Sequence, residues 1–590
     1  MAGTAAATPS HSSDSAVRPA GAAPAAAPLS AAVKAETVKA ARAAALAHAP
    51  ATGVGRGETL AVKDVLVDPE GKRHVRFARS YRGVPVVGGD LVVHLDAKRA
   101  YLGVTRAARH QVAVPSTTPS LSASQAAAKA AAHTGGTAGG AELVVDARDS
   151  TPVLAYRVTV EKKDADGTGP LHSVVVDAAS GKVVSSTPLT DGFISPGLRK
   201  KLKDLGQQAA PDTPARSGRP AAGERPEPGA GFPAAANGTG SSLFVGSVPL
   251  VTTRTAKDSF TLKDPSRGDG ETRTAGGKEL NSFASGTAFT TSDNRWGSGT
   301  AADPVTAAVD AQYGTTATFD YYKSVFGRDG IKDDGAGPRA MVHYGDKVDN
   351  AYWDPDCGCM LYGDGDGETF KQPLVALDVT GHELSHGVIG ATADLQPTRV
   401  DKAGNQFGEA GSLNESLADI FGTGMEFHTN NPDNPPNYLL GEKLGLEQTF
   451  LRRLDKPSLD TLEGTVDYWD EGSYDREVHA GSGVSSHAFY LLAEGSGKKT
   501  VGGFAYDSPT YDGAPVTGIG RQKAEQILYR ALTRYMVSTT DFHEARKATL
   551  QAAADIHGGD SAEYKAVDRA WAAVNVTEAN TPRQTPPAAR

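Results

Sequence analysis

The chain has few cysteines, little surplus charge of one sign and no long apolar run. Two cysteines in 590 residues exclude a disulfide-built scaffold and a zinc site made from several cysteines. A formal net charge of -9 argues against a nucleic-acid-binding surface as the main function. No run of about 18 apolar residues occurs, so the sequence predicts no membrane-spanning helix.

The first 32 residues also lack the apolar core of a secretory signal peptide. They are mostly Ala, Pro and Ser, interrupted by His11, Asp14 and Arg18, with no stretch rich in Leu or Val. An export signal is therefore not evident in this sequence.

Composition divides the chain into seven parts of an α+β protein. A leader with an Ala-rich helix comes first, and two small modules of alternating strands and a helix follow. A Pro/Gly/Ala segment without periodicity then indicates an exposed, protease-sensitive linker. A β-rich stretch, a helical half and a disordered tail complete the chain. The predicted boundaries are 1–57, 58–112, 119–192, 193–240, 241–393, 394–576 and 577–590.

The segment 375–389 carries the pattern His-Glu-Leu-Ser-His among apolar residues at helical spacing. On a helix, positions four apart lie about 40° apart around the axis, so His382 and His386 can present ring nitrogens to one metal ion. Glu383 lies about 100° from His382, which suits a general base beside an open coordination position. The alternative is an amphipathic helix with two incidental histidines.

Two further segments supply the groups that such a site needs. Glu415 and Asp419 are four apart in an apolar pattern, so one carboxylate can bind metal while the other orients a ligating histidine. His479 stands in a Gly-rich turn before an apolar helix, where its ring can donate to a developing oxyanion. The alternatives are a solvated acidic face and a helix-entry residue without a role.

At these residues the sequence resembles the thermolysin-like neutral metalloproteases, through most of 241–576. The segment 74–90 is similar to that family's fungalysin/thermolysin-type propeptide, and the module over 119–192 to a PepSY unit. The resemblance implies a two-lobed catalytic domain, with a β-rich N-terminal lobe, a helical C-terminal lobe and the HExxH helix between them.

The resemblance also assigns roles around one catalytic Zn²⁺. The expected zinc ligands are His382, His386 and Glu415. Glu383 is the expected catalytic base, and His479 the expected stabiliser of the transition state. Asp419 is the expected partner of a zinc-binding histidine.

Substrate-binding residues follow from the same resemblance. Asn350 and Ala351 correspond to the edge strand that pairs with the substrate backbone. Arg452 corresponds to the arginine that holds a substrate carbonyl, with neighbouring Arg453 as its rival. An apolar pocket for the residue after the cleaved bond is expected from Val379, Leu440 and Leu451.

At least one structural Ca²⁺ is also implied. Leu439 stands where a carboxylate for a second calcium would lie, which favours one ion here. The carboxylates at the family's calcium positions are Asp378, Glu426, Asp433 and Glu442.

The sequence departs from the family pattern near the second histidine. The gap from His386 to Glu415 is 29 residues, with an insertion around 396–406. The tyrosine expected to support the oxyanion is absent, and Pro397, Gln406 or Phe407 stands at its place, depending on the count. The carboxylate supporting His479 is either Asp475 or Glu477.

Cys357 and Cys359 lie beside the expected substrate edge. They predict either a disulfide across three residues, suited to an oxidising compartment, or two buried free thiols.

The resemblance implies a secreted, extracellular zinc endopeptidase made as a latent zymogen. It would hydrolyse peptide bonds with a zinc-bound water that Glu383 activates, and would prefer a hydrophobic residue after the cleaved bond. The expected partners are protein or peptide substrates and its own propeptide, as folding aid and intramolecular inhibitor, but neither nucleic acid nor membrane. The alternatives are a weakened or inactive metal-binding relative, and a zinc aminopeptidase, which would need an acidic site for the substrate's amino group.

Overall fold

The computed structural model describes residues 30–148, 151–161, 171–206 and 232–580. The predicted leader up to residue 29 and the tail from 581 lie outside the described residues. Within those four ranges, no helix is both long enough and apolar enough to cross a membrane.

The two N-terminal modules share one nine-stranded sheet. The order is β5-β4-β2-β3-β6-β7-β8-β9 with β1 beside β2, and the parallel pair β3–β6 joins the modules. Helices α1 (Ala31–Ala47) and α2 (Ala49–Thr52) accompany the first module, and α3 (Ala123–Thr134) the second. The strands are β1 (Glu58–Val67), β2 (Arg73–Tyr81), β3 (Val84–Val87), β4 (Leu91–Leu95), β5 (Tyr101–Arg106), β6 (Thr137–Asp146), β7 (Val153–Glu161), β8 (Leu171–Asp177) and β9 (Val183–Pro188).

The predicted boundary at residue 57 differs from the structure. Helix α1 buries Val38, Ala41 and Ala45 against Phe77 and Leu91 of the first module. The Ala-rich segment therefore belongs to the core of that module, because its small apolar stripe is covered only by the neighbouring strands.

The β-rich lobe contains two sheets. One has the order β10-β20-β21-β19-β15-β14 with β16 beside β15, and the other β17-β13-β12-β11-β18. The strands are β10 (Asp191–Gly192), β11 (Ala234–Ser241), β12 (Ser247–Ala256), β13 (Ser259–Thr261), β14 (Lys263–Asp264), β15 (Gly270–Lys278), β16 (Thr287–Ala288), β17 (Thr290–Thr291), β18 (Arg295–Trp296), β19 (Arg339–Tyr344), β20 (Ala351–Asp354) and β21 (Cys359–Tyr362).

The helical half consists of six long helices with short hairpins between them. The helices are α6 (Leu377–Gly390), α7 (Glu409–Thr429), α8 (Val478–Ala493), α9 (Arg521–Arg534), α10 (Phe542–His557) and α11 (Ala562–Ala573). The hairpin strands are β22 (Arg399–Val400), β23 (Gln406–Phe407), β24 (Leu439–Leu440), β25 (Arg452–Arg453), β26 (Gly497–Val501) and β27 (Phe504–Ser508). Single 3₁₀ turns span Phe283–Ser285, Pro457–Leu459 and Ser473–Asp475.

The predicted linker over 193–240 is ordered at both ends. Helix α4 (Pro196–Gly206) follows β10, and strand β11 begins at Ala234. Leu198 and Leu202 are buried, so a stripe at spacing four anchors α4 within a segment whose composition suggested an exposed loop. Residues 207–231 lie outside the described residues.

The N-terminal sheet is held against the helical half by buried charges. Asp68 accepts hydrogen bonds from Arg530 and from Nε of Arg534, the latter at 3.4 Å, and pairs with Nε2 of His74 at 2.9 Å. Burial alone would raise the pKa of Asp68, but His74 and the two arginines hold it well below its ordinary value of 3.8. The ionised carboxylate therefore contributes to the stability of this interface.

We expect Asp68→Asn to lower the free energy of unfolding by about 3–5 kcal/mol, because it removes the carboxylate that pairs with Arg534 and one of the two that pair with Arg530. Because the pKa is lower in the folded state, the contribution is fully present above pH 3.8 and is lost as the pH falls further. Urea unfolding of the full chain at pH 7 checks this. Glu70→Gln, at an exposed carboxylate two residues away, is the matched control. Equal losses in both variants would contradict the role of Asp68.

Candidate active site

The predicted histidine pair lies on α6, at the centre of the helical packing. His382 and His386 are one turn apart and buried, and their Nε2 atoms are 2.9 Å apart. Gly381 and Gly422 let α6 and α7 approach closely, since a Cβ on Gly422 would lie 2.9 Å from the backbone nitrogen of His382. The close approach brings the acidic residues of α7 to the imidazoles.

Glu415 on α7 completes a group of three metal-binding side chains. Its Oε2 lies 3.4 Å from Nε2 of His382 and 3.7 Å from Nε2 of His386. That oxygen is buried and has no hydrogen-bond partner among the described residues. Burial alone would raise the pKa of Glu415, but the charges of His479, His386 and His382 hold it well below its usual range. Two imidazoles and an ionised carboxylate around one point fit a divalent metal ion.

The other ring nitrogen of each histidine is also held. Nδ1 of His382 lies 2.7 Å from Oδ1 of Asp419, and Nδ1 of His386 lies 2.9 Å from Oδ1 of Asn414. Both contacts orient Nε2 towards the shared point. Asp419 is where the sequence predicts a partner, whereas Asn414 was missed although its place next to Glu415 could have suggested it.

Glu383, next to His382 on α6, faces the same region. Its Oε2 accepts a hydrogen bond of 2.9 Å from the backbone N–H of Trp353 on β20. Its Oε1 is buried and unpartnered among the described residues. Burial raises the pKa of Glu383 well above its ordinary value. The raised pKa strengthens the Glu383 carboxylate as a base, which suits a group that accepts a proton from water.

His479 lies in the first turn of α8 and points at the same cluster. Its Nδ1 is 2.9 Å from Oε1 of Glu477, which settles the choice between the two predicted carboxylates. Asp475 instead pairs with Arg399 at 2.7 Å. Burial alone would lower the pKa of His479, but Glu415 and Glu477 raise it well above its ordinary value. The Nδ1 contact with Glu477 fixes the ring and leaves Nε2 directed into the cleft, 3.2 Å from the carbonyl oxygen of Gly192.

Strand β10 crosses this cleft as an added edge strand. It pairs antiparallel with β20, with Asp191 opposite Trp353 and Gly192 opposite Tyr352. Asn350 bonds both backbone groups of Ile194, accepting from its N–H at 3.0 Å and donating to its carbonyl at 3.1 Å. The predicted substrate edge is therefore occupied by the chain's own residues.

The three apolar residues predicted to line a pocket are fully buried: Val379, Leu440 and Leu451. They belong to one core cluster with Phe193, whose ring meets that of His382 edge-on with centroids 5.1 Å apart.

Arg452, rather than its rival Arg453, reaches this pocket. It donates at 3.2 Å to the carbonyl of Phe193 and at 2.8 and 2.9 Å to Asp419. Arg453 is bonded to Asp455 at 2.7 Å.

A second acidic group lies behind α6, where the sequence predicts calcium. Burial raises the pKa of Asp378, Glu426 and Glu442, and repulsion from acidic neighbours further raises that of Glu426 and brings that of Glu442 to about 8. The Oε2 atoms of Glu426 and Glu442 are buried and have no hydrogen-bond partner among the described residues. Asp433 differs from the prediction, because it is exposed in the turn after α7.

Two asparagines that sequence reasoning missed contact the acidic group instead. Asn434 donates to Glu426 at 2.8 Å, and Asn437 donates to Glu442 at 2.9 Å. Hard oxygen donors with buried unpartnered atoms fit Ca²⁺.

Cys357 and Cys359 form a disulfide, which decides between the two predicted states of the pair. The bond closes the turn between β20 and β21, next to the substrate edge.

Comparison with protein families matches four parts of the chain. The catalytic domain of thermolysin metallopeptidase matches 237–390, and its alpha-helical domain matches 405–576. The fungalysin/thermolysin propeptide motif matches 58–107, and the peptidase propeptide and YPEB domain matches 120–187.

Curated relatives agree with this assignment. A thermolysin from Alicyclobacillus acidocaldarius is 32% identical over 543 residues, covering 88% of this chain and 86% of the relative. A transglutaminase-activating metalloprotease from Streptomyces mobaraensis is 40% identical over 554 residues, covering 92% of this chain. This chain belongs to the thermolysin family of metallopeptidases.

The match does not extend over the whole of every relative. The chain spans 64% of the length of the Streptomyces protein and 55% of a bacillolysin from Bacillus cereus that is 36% identical over 58% of this chain. Among solved structures, a precursor of protealysin from Serratia proteamaculans is 26% identical with a TM-score of 0.40, covering 52% of this chain and 87% of that chain.

The insertion that separates this chain from the thermolysin pattern forms the hairpin β22–β23. Arg399 stacks over Phe407 at 3.7 Å, and Phe407 forms a β-bridge with Glu477. Gln406 lines the cleft together with His479. Asn405 at the hairpin tip accepts a hydrogen bond of 2.7 Å from the backbone N–H of Gly197. The hairpin therefore forms part of the cleft wall beside His479.

Proposed function

We propose that this chain is the latent precursor of a secreted zinc endopeptidase. The observation that carries the proposal is the convergence of His382, His386 and Glu415 on one point, with Glu383 and His479 beside it. An extracellular location is supported by the disulfide Cys357–Cys359, since disulfides persist in oxidising compartments.

The metal ion proposed for the three ligands is Zn²⁺. The borderline donor set of two imidazole nitrogens and one carboxylate is typical of catalytic zinc, and three protein ligands leave a position open. When bound, zinc supplies Lewis acidity that activates water and polarises a carbonyl group. Asp419 and Asn414 keep both imidazoles in the tautomer that presents Nε2.

Glu383 acts as general base and then as general acid. Its Oε1 is free to accept the proton of a water molecule, while the N–H of Trp353 holds Oε2. The raised pKa makes the Glu383 carboxylate a stronger base towards water, and the carboxyl group that results can then deliver the proton to the leaving amine. His479, fixed by Glu477, donates to the oxygen on which negative charge develops.

Substrate recognition uses the pocket and the edge strand. A hydrophobic residue after the cleaved bond enters the apolar pocket, Arg452 holds its carbonyl, and Asn350 and Ala351 bind the backbone. The alternative of an aminopeptidase lacks a supporting observation, because β10 runs through the cleft as an internal stretch of chain rather than ending there.

Latency follows from the N-terminal modules. Strand β10 at the end of the second module and helix α4 just after it cover the cleft. The N-terminal modules, which hold this segment in place, therefore act as an intramolecular inhibitor, in addition to assisting folding. One structural Ca²⁺ is proposed at Asp378, Glu426 and Glu442, and Asp433 lies outside that group.

We expect Asp419→Asn to weaken zinc binding by about 10–100-fold, because the variant removes the charge that orients and polarises His382. Metal content after dialysis against graded concentrations of a chelator measures the loss. Asp507→Asn, at an exposed position of β27, is the matched control. Unchanged zinc retention in Asp419→Asn would contradict the role of Asp419.

The proposed function is tested by hydrolysis of casein and of a peptide blocked at its N-terminus. Both should be cleaved internally, before hydrophobic residues, by protein from which the N-terminal modules have been removed. A chelator should abolish cleavage and zinc should restore it. Zinc-loaded, processed protein without hydrolysis would refute the proposal, and release of N-terminal amino acids alone would favour an aminopeptidase.

A further inference from the structure

The backbone of 192–194 lies in the cleft in the direction expected of a substrate. Nε2 of His479 is 3.2 Å from the carbonyl oxygen of Gly192. The N–H of Phe193 donates at 3.2 Å to the carbonyl of Ala351, and Arg452 donates at 3.2 Å to the carbonyl of Phe193. Each group proposed to bind a substrate backbone is engaged by these residues.

The side chain of Phe193 occupies the apolar pocket. It is fully buried, its ring meets that of His382 edge-on, and the guanidinium of Arg452 lies 4.8 Å from its centroid. Gly192 suits the position before it, since a Cβ there would come within 2.9 Å of Nδ2 of Asn350. A glycine followed by a pocket-filling aromatic residue therefore places the Gly192 carbonyl group beside His479.

We propose that the Gly192–Phe193 peptide bond is the first processing site of this precursor, cut by the active site of the same chain. The inference rests on the proposed function. It adds which peptide bond is cut, which residue occupies the apolar pocket, and that the cut takes place within one molecule. The bond lies at the start of the predicted protease-sensitive linker over 193–240, for which the sequence indicated no particular bond.

The reaction is a hydrolysis that needs only water as co-reactant. Water oxygen bonds to the carbonyl carbon of Gly192, and the bond from that carbon to the nitrogen of Phe193 breaks. Glu383 takes one water proton and passes it to that nitrogen. The second water proton leaves the new carboxyl group and is taken up by the amine, so the products are the carboxylate of Gly192 and the ammonium group of Phe193.

The contacts on both sides of the bond favour a cut within one molecule. Upstream, two residues separate β10 from β9, and β9 belongs to the nine-stranded sheet, which is held to α9 through Asp68 and Arg530. Downstream, α4 is anchored by Leu198 and Leu202, and Lys201 donates to the carbonyls of Thr461 and Leu462 at 2.9 and 2.8 Å. The bond is therefore held in the cleft at an effective concentration that a second molecule cannot match.

The test starts from full-length precursor purified with a chelator, to which zinc is then added at two protein concentrations 100-fold apart. N-terminal sequencing and intact mass should give Phe193 as the first new N-terminus, with the same half-time at both concentrations. Glu383→Gln should keep the bond intact. A first new N-terminus elsewhere, or a half-time that changes with protein concentration, would overturn the proposal.

Variants at the pocket separate recognition from folding. Phe193→Asp should slow this cut by at least about 100-fold, whereas Phe193→Leu should retain it. Leu205→Asp, at a 49% exposed position of α4, is the matched control and should be cut like the parent. A Phe193→Asp precursor cut at the parental rate would refute the proposed register.

Two further readouts keep the proposals distinguishable. In the uncut Glu383→Gln precursor, hydrogen exchange should show that the backbone amide of Phe193 is protected. The double variant Glu383→Gln/Phe193→Asp should lose the protection of the amide at position 193. An unprotected Phe193 amide in the Glu383→Gln precursor would contradict the register. Hydrolysis of an external peptide is followed in parallel. If that peptide is cleaved while Gly192–Phe193 persists, this inference alone fails, and if neither is cleaved, the proposed function fails.

Discussion

Glu383→Gln should abolish peptide hydrolysis and leave the protein folded and loaded with zinc. The variant keeps the shape of the side chain and can still accept from the N–H of Trp353, but it cannot take a proton from water. General-base catalysis contributes about 10²–10⁴-fold, so we expect a loss at the upper end of this range or beyond. Peptide hydrolysis, metal content and thermal unfolding measured on one sample check the three parts.

The same variant should accumulate as an uncut precursor, because its active site cannot process the chain. Glu368→Gln, an exposed glutamate outside the cleft, is the matched control and should mature normally. Full activity in Glu383→Gln would refute the assignment of the base. Loss of zinc together with activity would instead indicate a structural role for this carboxylate.

The meeting of His382, His386 and Glu415 could be predicted because most of the information is local. Four residues on a helix fix the relation of His382 to His386, and the same spacing relates Glu415 to Asp419. A few residue types at fixed spacing therefore indicated most of the catalytic groups. The choice between Asp475 and Glu477 could not be made from spacing, because it depends on the hairpin β22–β23, whose Arg399 pairs with Asp475 and whose Phe407 forms a β-bridge with Glu477.

The missed features depend on burial and on distant contacts. Helix α5 (Pro304–Phe326) lies in the stretch that the sequence predicts as β-rich. The helix was missed because its Thr, Gly and Tyr residues are buried on several sides and give no one-sided apolar stripe. The placement of Phe193 and Ile194 in the cleft joins residues more than 150 positions apart in sequence, such as Ile194 and Asn350 with |i−j|=156. The Pro/Gly/Ala-rich composition of the predicted linker therefore did not indicate that Phe193 and Ile194 lie in the candidate active site.

Calcium should stabilise the protein strongly, and more so as the pH rises. In the absence of the ion, burial raises the pKa of Asp378 and Glu426, and burial with the charge of Asp378 raises that of Glu442 to about 8. Groups whose pKa is raised in the folded state stabilise it below their unfolded values and lose this contribution as the pH rises through the folded values. The calcium-free protein should therefore become less stable from about pH 5 to pH 8.

Calcium should reverse this loss of stability with rising pH, because the ion replaces the protons on the three carboxyl groups. Calcium binding therefore releases protons and becomes stronger at higher pH. At free calcium about 1,000-fold above Kd, the gain is about 4 kcal/mol, enough to raise Tm by several degrees. Thermal unfolding of the Glu383→Gln precursor, which cannot digest itself, with calcium or a chelator at pH 5.5 and pH 8, measures both effects. Glu426→Gln in that background should lose most of the gain, whereas Glu447→Gln, at an exposed position after β24, should keep it. Equal Tm values with and without calcium at pH 8 would show that Asp378, Glu426 and Glu442 do not bind the ion.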